Sequence, residues 1–321
     1  MTPDLESLDP NQWAERVRRG ERRAIARLIS WLEDGRPFAS KVLSILHREV
    51  GRAHRIGFTG PPGCGKSSLV DRLVGEFRAA GRKVAVVAVD PSSPFTGGAI
   101  LGDRIRMQRH AGDPGVFIRS MSSRGNLGGL AIATQAACHV LDASGHDVIL
   151  IETVGVGQSE LDIVGAADTV VLVQAPNLGD GIQAIKAGIM EIPDIFVVNK
   201  GDLPGSDRTL MDLRDMLHDA RPGGWSPVAC KVSAQEDVSL GELRSHLDAH
   251  LSHLRVSGER LDRRRKQVSQ EILGRALYSM DDRIRTWLTR ADGNALLEAV
   301  LAGNVDPISA SRHVVDHVIR L

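Results

Sequence analysis

Cysteine, aromatic side chains and net charge are all scarce in this chain. Its 321 residues include three cysteines, Cys64, Cys138 and Cys230, which are widely spaced and odd in number. That argues against a disulfide framework and fits a reducing compartment. Forty basic residues balance forty acidic ones, and a formal charge of zero argues against a general nucleic-acid binder, which carries a basic excess. Aromatics are only 3%, yet 42% of the residues are hydrophobic, so a buried core is available. No apolar run approaches the roughly 20 residues that span a bilayer. The opening Met1-Thr-Pro-Asp-Leu-Glu6 lacks the charged-then-apolar order of a signal peptide. There is no internal repeat and no low-complexity stretch. The expectation is a soluble, cytoplasmic protein without a membrane or nucleic-acid partner, built as one large α/β domain with helical additions.

What is present begins with helical spacing. Residues 11–34 carry Trp13, Val17, Ile25, Leu28, Ile29 and Leu32 at helical intervals, Gly35-Arg-Pro37 stops that helix, and residues 38–50 read as another, ended by Gly51. Short apolar runs follow at 55–59, 83–89, 148–151, 169–173 and 195–198, with another short strand ahead of Lys231. Val/Ile-rich runs alternating with helical stretches predict a mostly parallel sheet buried on both faces. Residues 255–290 turn charged and helical, and Asp306-Pro307 predicts a cap and first-turn proline for a last helix to about Leu321. The predicted organisation is an N-terminal helical segment (1–51), a nucleotide domain (52–255) and a C-terminal helical arm (256–321).

Residues Gly60, Pro61, Pro62, Gly63, Cys64, Gly65, Lys66 and Ser67 fit the phosphate-loop pattern GxxxxGK[ST] between an apolar run and a helix that opens with Ser68. Glycines let successive amides face phosphate oxygens, the lysine neutralises charge and the serine hydroxyl reaches Mg²⁺. The helix N-terminus adds to the anion's stabilisation. Asn199-Lys200-Gly201-Asp202 follows the 195–198 run, at the edge where such a sheet binds ligands. Asp202 can accept from the N1–H and 2-amino group of guanine, a donor pair that adenine lacks, so GTP is preferred over ATP. Ser233 and Ala234 offer backbone contacts to the base. Asp90, Asp103 and Glu152 are candidates to hold Mg²⁺; for any one of them the competing reading is an ordinary cap or turn residue. Gly155 and Gly157 can bring amides to the γ-phosphate. No residue is an obvious hydrolysis base; Gln158, just past the Gly-rich loop, is the candidate to orient water, and partner-stimulated turnover suits that lack.

Several stretches together resemble the MeaB/ArgK-type GTPases, chaperones of adenosylcobalamin-dependent acyl-CoA mutases. They are Thr59 to Ser67, Val89 to Arg104, Ile118 to Gly129, Ile151-Glu-Thr-Val-Gly-Val-Gly-Gln-Ser-Glu160 and Gly188 to Lys200, with Arg18 to Arg23 and Asn304 to Pro307 at the two ends. The likeness covers nearly the whole chain. It implies a P-loop NTPase fold of the SIMIBI class, a homodimer through the C-terminal helices, and GTP used to gate cofactor delivery and to protect or reactivate a mutase. An adenosyltransferase is a further partner the family allows. Carried over, Lys66 and Ser67 hold phosphate and Mg²⁺, Asp90, Asp103 and Glu152 surround the metal, Asp202 reads guanine, and Lys66, Glu152 and Asp103 serve catalysis. The loop 176–186 matches the family's extra switch, although Gly181 stands where an acidic residue is common. The resemblance implies methylmalonyl-CoA mutase as the partner, with isobutyryl-, 2-hydroxyisobutyryl- and ethylmalonyl-CoA mutases as alternatives of the same chaperone logic.

Three rivals stay open. One is a nickel-insertion GTPase, suggested by Cys138-His139 and by His246, His250 and His253 at helical spacing. Adjacent helical residues point about 100° apart, so a core cysteine and a solvated or packed helix surface compete with that view. Another is a kinase, an older label in this family, for which the sequence offers no hydroxyl-activating base. The last is a purely structural module, which leaves Lys66, Glu152 and Asp202 without a joint explanation.

Overall fold

A computed structural model describes residues 9–90, 108–110, 112–122, 127–153, 165–176, 193–217 and 224–319. Asp103, Gly155, Gly157, Gln158, Gly181 and all of the 176–186 loop except Pro176 lie outside the described residues. Two compact units run Met1–Gln267 and Val268–Leu321.

The first unit opens with α1 (Pro10–Arg18), α2 (Arg22–Glu33) and α3 (Pro37–Leu46). The single helix predicted over 11–34 is thus two. Gly20, at φ +73°, takes the left-handed conformation that ends α1, which a side chain would disfavour. Asp9 caps α1 by accepting from the Asn11 amide at 2.9 Å. Then follow β1 (His54–Thr59), α4 (Lys66–Ala79), β2 (Val84–Asp90), β3 (Val116–Ser122), α5 (Leu127–Ala143), β4 (Val148–Thr153), β5 (Thr169–Gln174), β6 (Ile195–Val198), α6 (Ser206–Leu217), β7 (Val228–Lys231) and α7 (Leu240–Ser257). The helix α8 (Glu259–Leu288) begins in this unit; α9 (Ala291–Leu301) and α10 (Pro307–Ile319) belong to the second. Asp306 caps α10 as its sequence implies, accepting the Ile308 and Ser309 amides at 2.9 and 3.0 Å.

The seven strands form one parallel sheet in the order β3-β2-β4-β1-β5-β6-β7. Alternate residues along each strand serve opposite faces. Ala85, Val87, Val89, Ile149 and Ile151 pack beneath α5 and the N-terminal helices, with Val17, Ile25, Leu28, Val42 and Leu141 in the same cluster. Ile56, Phe58, Val86, Leu150, Val171 and Val173 pack on the other face against Leu69, Val70, Leu73 and Phe77 of α4 and Leu243 and Leu247 of α7. Burial of each Val, Ile, Leu or Phe side chain here contributes about 1.5–3 kcal/mol, and with both faces covered the runs read as nearly unbroken apolar segments. With β4 and β5 on either side of β1, the chain's direction of winding reverses there. A crevice at the strands' C-terminal ends results at the phosphate loop.

The opposite edge of the sheet is held by charge. Just before β5 and β6 lie the buried carboxylates Asp168 and Asp194, and the first turns of α8 reach both. Arg263 bonds Asp194 through two nitrogens at 2.9 and 2.7 Å, and Arg260 lies 3.3 Å from Asp168. Arg264 donates to the Gly51 carbonyl at 2.6 Å. Gln267 donates to the carbonyls of Gly165 and Ala167 at 3.2 and 2.8 Å.

Candidate functional site

The phosphate loop leaves β1 and enters α4 directly at Lys66. Lys66 is buried, and its ammonium donates to the carbonyls of Gly60 at 2.7 Å and Pro61 at 3.2 Å. Gly65 has φ +89°, and a Cβ there would collide with the Asn199 amide nitrogen, so only glycine lets the two loops meet. Cys64 is buried beneath the loop, and burial pushes its thiol above the ordinary value. Pro62 and Gly63 form the exposed tip, and Ser68 is exposed in the first turn of α4.

Ser67 donates its hydroxyl to Glu152, a buried carboxylate near the end of β4. Glu152 lies in register with Phe58 on one side and Ala88 on the other. Asp90 is the last residue of β2, two positions beyond Ala88, and so stands at the same sheet edge. A serine hydroxyl and a buried carboxylate at a helix N-terminus are the hard oxygen donors that Mg²⁺ takes. Among the described residues no group of three or more His, Cys, Asp or Glu side chains could hold a metal by themselves.

The second sequence motif comes to the same place. Asn199 follows β6, and its side-chain amide donates to the carbonyls of Cys64 at 3.0 Å and Gly65 at 3.2 Å. Its own oxygen accepts the Ala234 amide at 3.2 Å. One buried side chain therefore stitches the phosphate loop to the Ser233–Ala234 loop. Lys200 adopts φ +57°, which turns the chain so that the Gly201 amide bonds the Val232 carbonyl at 2.8 Å. Asp202 is exposed and accepts the Ser233 hydroxyl at 2.6 Å; this bond and its own backbone amide hold its carboxyl below the usual range. Lys66, Ser67, Glu152, Asn199, Asp202, Ser233 and Ala234 are thus brought to one edge of the sheet.

Sequence reasoning missed Arg72. It lies on α4 and donates to the Ala234 carbonyl at 2.9 Å across 162 residues of chain, and nothing in a local pattern signals such a contact. The histidines of α7 turn out to be unequal. His250 is fully buried, shares the Thr169 hydroxyl with His54 at 2.8 and 2.7 Å, and packs against Trp225 with ring centroids 4.7 Å apart and the planes tilted by 58°. Burial depresses its pKa to about 4 and that of His54 to about 3. His246 and His253 face Glu242 and Glu259 instead. Cys138 sits in the core, while its neighbour His139 lies 3.2 Å from the Arg55 guanidinium.

The family model for the methylmalonyl-CoA mutase-associated GTPase MeaB matches residues 25–286. A protein of Pyrococcus abyssi named as a GTPase is 47% identical over 309 residues, 95% of each chain. GTPase ArgK of Escherichia coli is 35% identical over 269 residues, 80% of each chain. Among solved structures, a protein named LAO/AO transport system kinase superposes with a TM-score of 0.68 at 26% identity, covering 96% of this chain and 97% of its own. The seven-stranded parallel sheet, the phosphate loop and these relatives agree: the chain belongs to the MeaB family of P-loop GTPases.

Proposed function

We propose that this protein binds and hydrolyses GTP as a chaperone of an adenosylcobalamin-dependent acyl-CoA mutase, gating cofactor loading and protecting or reactivating the enzyme. The observation that carries the nucleotide half of this reading is the Asn199 joint, which ties the phosphate loop to the base-side loop by three hydrogen bonds. The mutase half rests on the description of the family to which the chain belongs.

In this reading the backbone N–H groups of Gly63, Cys64, Gly65, Lys66 and Ser67 at the N-terminus of α4 surround the phosphates, Gly60, Pro61 and Pro62 shape the loop, and Ser68 and Gly155 are further candidate contacts. Lys66 exchanges its loop carbonyls for phosphate oxygens. Ser67, Glu152, Asp90 and Asp103 are the oxygen donors that would hold Mg²⁺, which would neutralise phosphate charge. Glu152 and Asp103 orient that end of the site. Asp202, kept ionised by the Ser233 hydroxyl, accepts from the guanine edge, and Lys200 and Ala234 flank the ring. Turnover is slow in the isolated protein and is raised by the partner.

The second unit serves to pair two copies. Its own core is small, centred on Trp287 and Val314 with Met280, Ile284, Leu288 and Leu296. Ile272, Leu273 and Leu277 of α8, Leu301 of α9 and Ile308 of α10 are 59–80% exposed, apolar surface that a second copy would cover. Among the described residues no helix is long and apolar enough to cross a membrane, and the three cysteines are buried and joined in no disulfide, which suits the cytoplasm.

GTP turnover measured with and without the purified mutase tests the chaperone role. Stimulation by the mutase supports it, and fast hydrolysis by the isolated protein overturns the gated switch. Calorimetry that detects no heat with GDP or GTP in the presence of magnesium overturns the whole reading. For base choice, Asp202→Asn should gain xanthosine nucleotide at the expense of GTP.

A further inference from the structure

We propose that Arg72 is a positioning residue that sets guanine selectivity, an inference that rests on the base-reading role given to Asp202 and Ser233 above. Arg72 lies about one and two-thirds turns into α4 beyond Lys66. It donates from Nε to the Ala234 carbonyl at 2.9 Å and from Nη1 to Asp237 at 3.0 Å. It thereby grips both ends of the turn 234–237. That turn is closed by the Ser233–Val238 bridge, whose two backbone hydrogen bonds measure 3.2 and 3.1 Å.

The turn needs such a grip. Asp237 at φ +56° and Ser239 at φ +58° are left-handed without being glycine, a conformation that persists only where the surroundings impose it. On the other side of the bridge, Ser233 donates to Asp202 at 2.6 Å and Ala234 donates to Asn199 at 3.2 Å. Any drift of the turn therefore moves the hydroxyl that orients Asp202. Because α4 also carries the phosphate-binding N-terminus, Arg72 joins the base-reading and phosphate-reading parts through one rigid element. The ion pair with Asp237 is half-exposed, at 33% and 54%, and adds little stability by itself. What matters is the fixed spacing of two guanidinium donors, one on a backbone carbonyl and one on a carboxylate, which a lysine ammonium does not reproduce.

The test uses the full chain with magnesium, comparing wild type, Arg72→Lys, Arg72→Met, Asp237→Asn and, as a control, Arg82→Met, which removes the ion pair to Asp248 at 2.7 Å. Calorimetry gives Kd for GTP, for ITP, which lacks the 2-amino group, and for inorganic tripolyphosphate. Both Arg72 variants should lose about ten-fold in GTP affinity. Their GTP:ITP preference should fall at least about three-fold, because a displaced Asp202 no longer rewards the 2-amino group. Tripolyphosphate affinity should stay at the wild-type value, and Arg82→Met should match wild type throughout. An unchanged GTP:ITP preference in the Arg72 variants overturns the proposal, as does equal weakening of GTP, ITP and tripolyphosphate with a lowered Tm, the mark of a merely structural role. Should the Arg72 variants fail to fold, Asp237→Asn decides: a fall in preference supports the proposal and no change overturns it. If Asp202→Asn leaves the GTP:ITP preference of the parent intact, the base-reading role is wrong and the proposal falls with it.

Discussion

Replacing Asp168 by asparagine tests whether charge holds the first turns of α8 to the sheet. Asp168 is 1% exposed and stands at the entry to β5. One oxygen accepts the Arg55 amide at 3.1 Å and lies 3.3 Å from Arg260 Nη2. The other is 3.5 Å from Arg260 Nε and 3.6 Å from Arg264 Nε. Asparagine keeps the shape and loses the charge, so two guanidinium groups, 15% and 27% exposed, face a neutral amide. Removing one partner of a fully buried pair costs about 3–5 kcal/mol, and the partial water access of both arginines returns some of it, leaving ~2 kcal/mol. Urea unfolding followed by far-UV circular dichroism at pH 7 should show that loss with an unchanged slope.

The pH dependence has a definite sign. Burial alone would push the Asp168 carboxyl upward, but Arg260, Arg264 and the Arg55 amide together hold it below its ordinary 3.8. A depressed carboxyl contributes stability that is fully present above the unfolded-state value and is lost as pH falls through the lower folded-state value. The gap between wild type and Asp168→Asn should therefore be constant from about pH 5 to 8 and close below about pH 4. In an Arg260→Met, Arg264→Met background the same substitution should cost little. An equal cost in that background, or a gap that widens on acidification, refutes the account.

Lys66→Ala should abolish GTP binding in calorimetry while the circular dichroism spectrum is retained, since among the described residues the ammonium bonds only groups of its own loop. Asn199→Ala should weaken GTP at least about ten-fold and lower stability by about 1–3 kcal/mol, because the buried Ala234 amide loses its acceptor. Gly65→Ala should impair binding comparably, since its Cβ displaces the Asn199 amide. Ile272→Glu with Leu277→Glu should convert a dimer to a monomer in sedimentation velocity without loss of helix content; an unchanged mass would refute pairing through the second unit.

The strands were legible where both faces are buried. Val148 to Ile151 and Ile195 to Val198 are unbroken apolar runs because no side of them meets water. The edge strand β3 escaped because Arg119 and Ser120 interrupt its apolar residues; Arg119 turns its Nη2 instead to Glu33 and Ser30 of α2. The break at Gly20 was equally hidden, since the apolar spacing continues across it on both helices.

The phosphate loop and the Asn199–Asp202 string were readable because their chemistry depends on backbone conformation and spacing within a few residues. That Asn199 would bridge Gly65 and Ala234 belongs to the crevice at β1, which exists only once β4 and β5 flank it. The same holds for Arg72 on Ala234 and Arg260 on Asp168, pairs 162 and 92 residues apart. Local sequence specifies helices, strands and loop types because those follow from neighbouring residues. Which charged side chain meets which buried acceptor is decided by tertiary packing, because the energy of leaving either partner alone appears only after the sheet has excluded water.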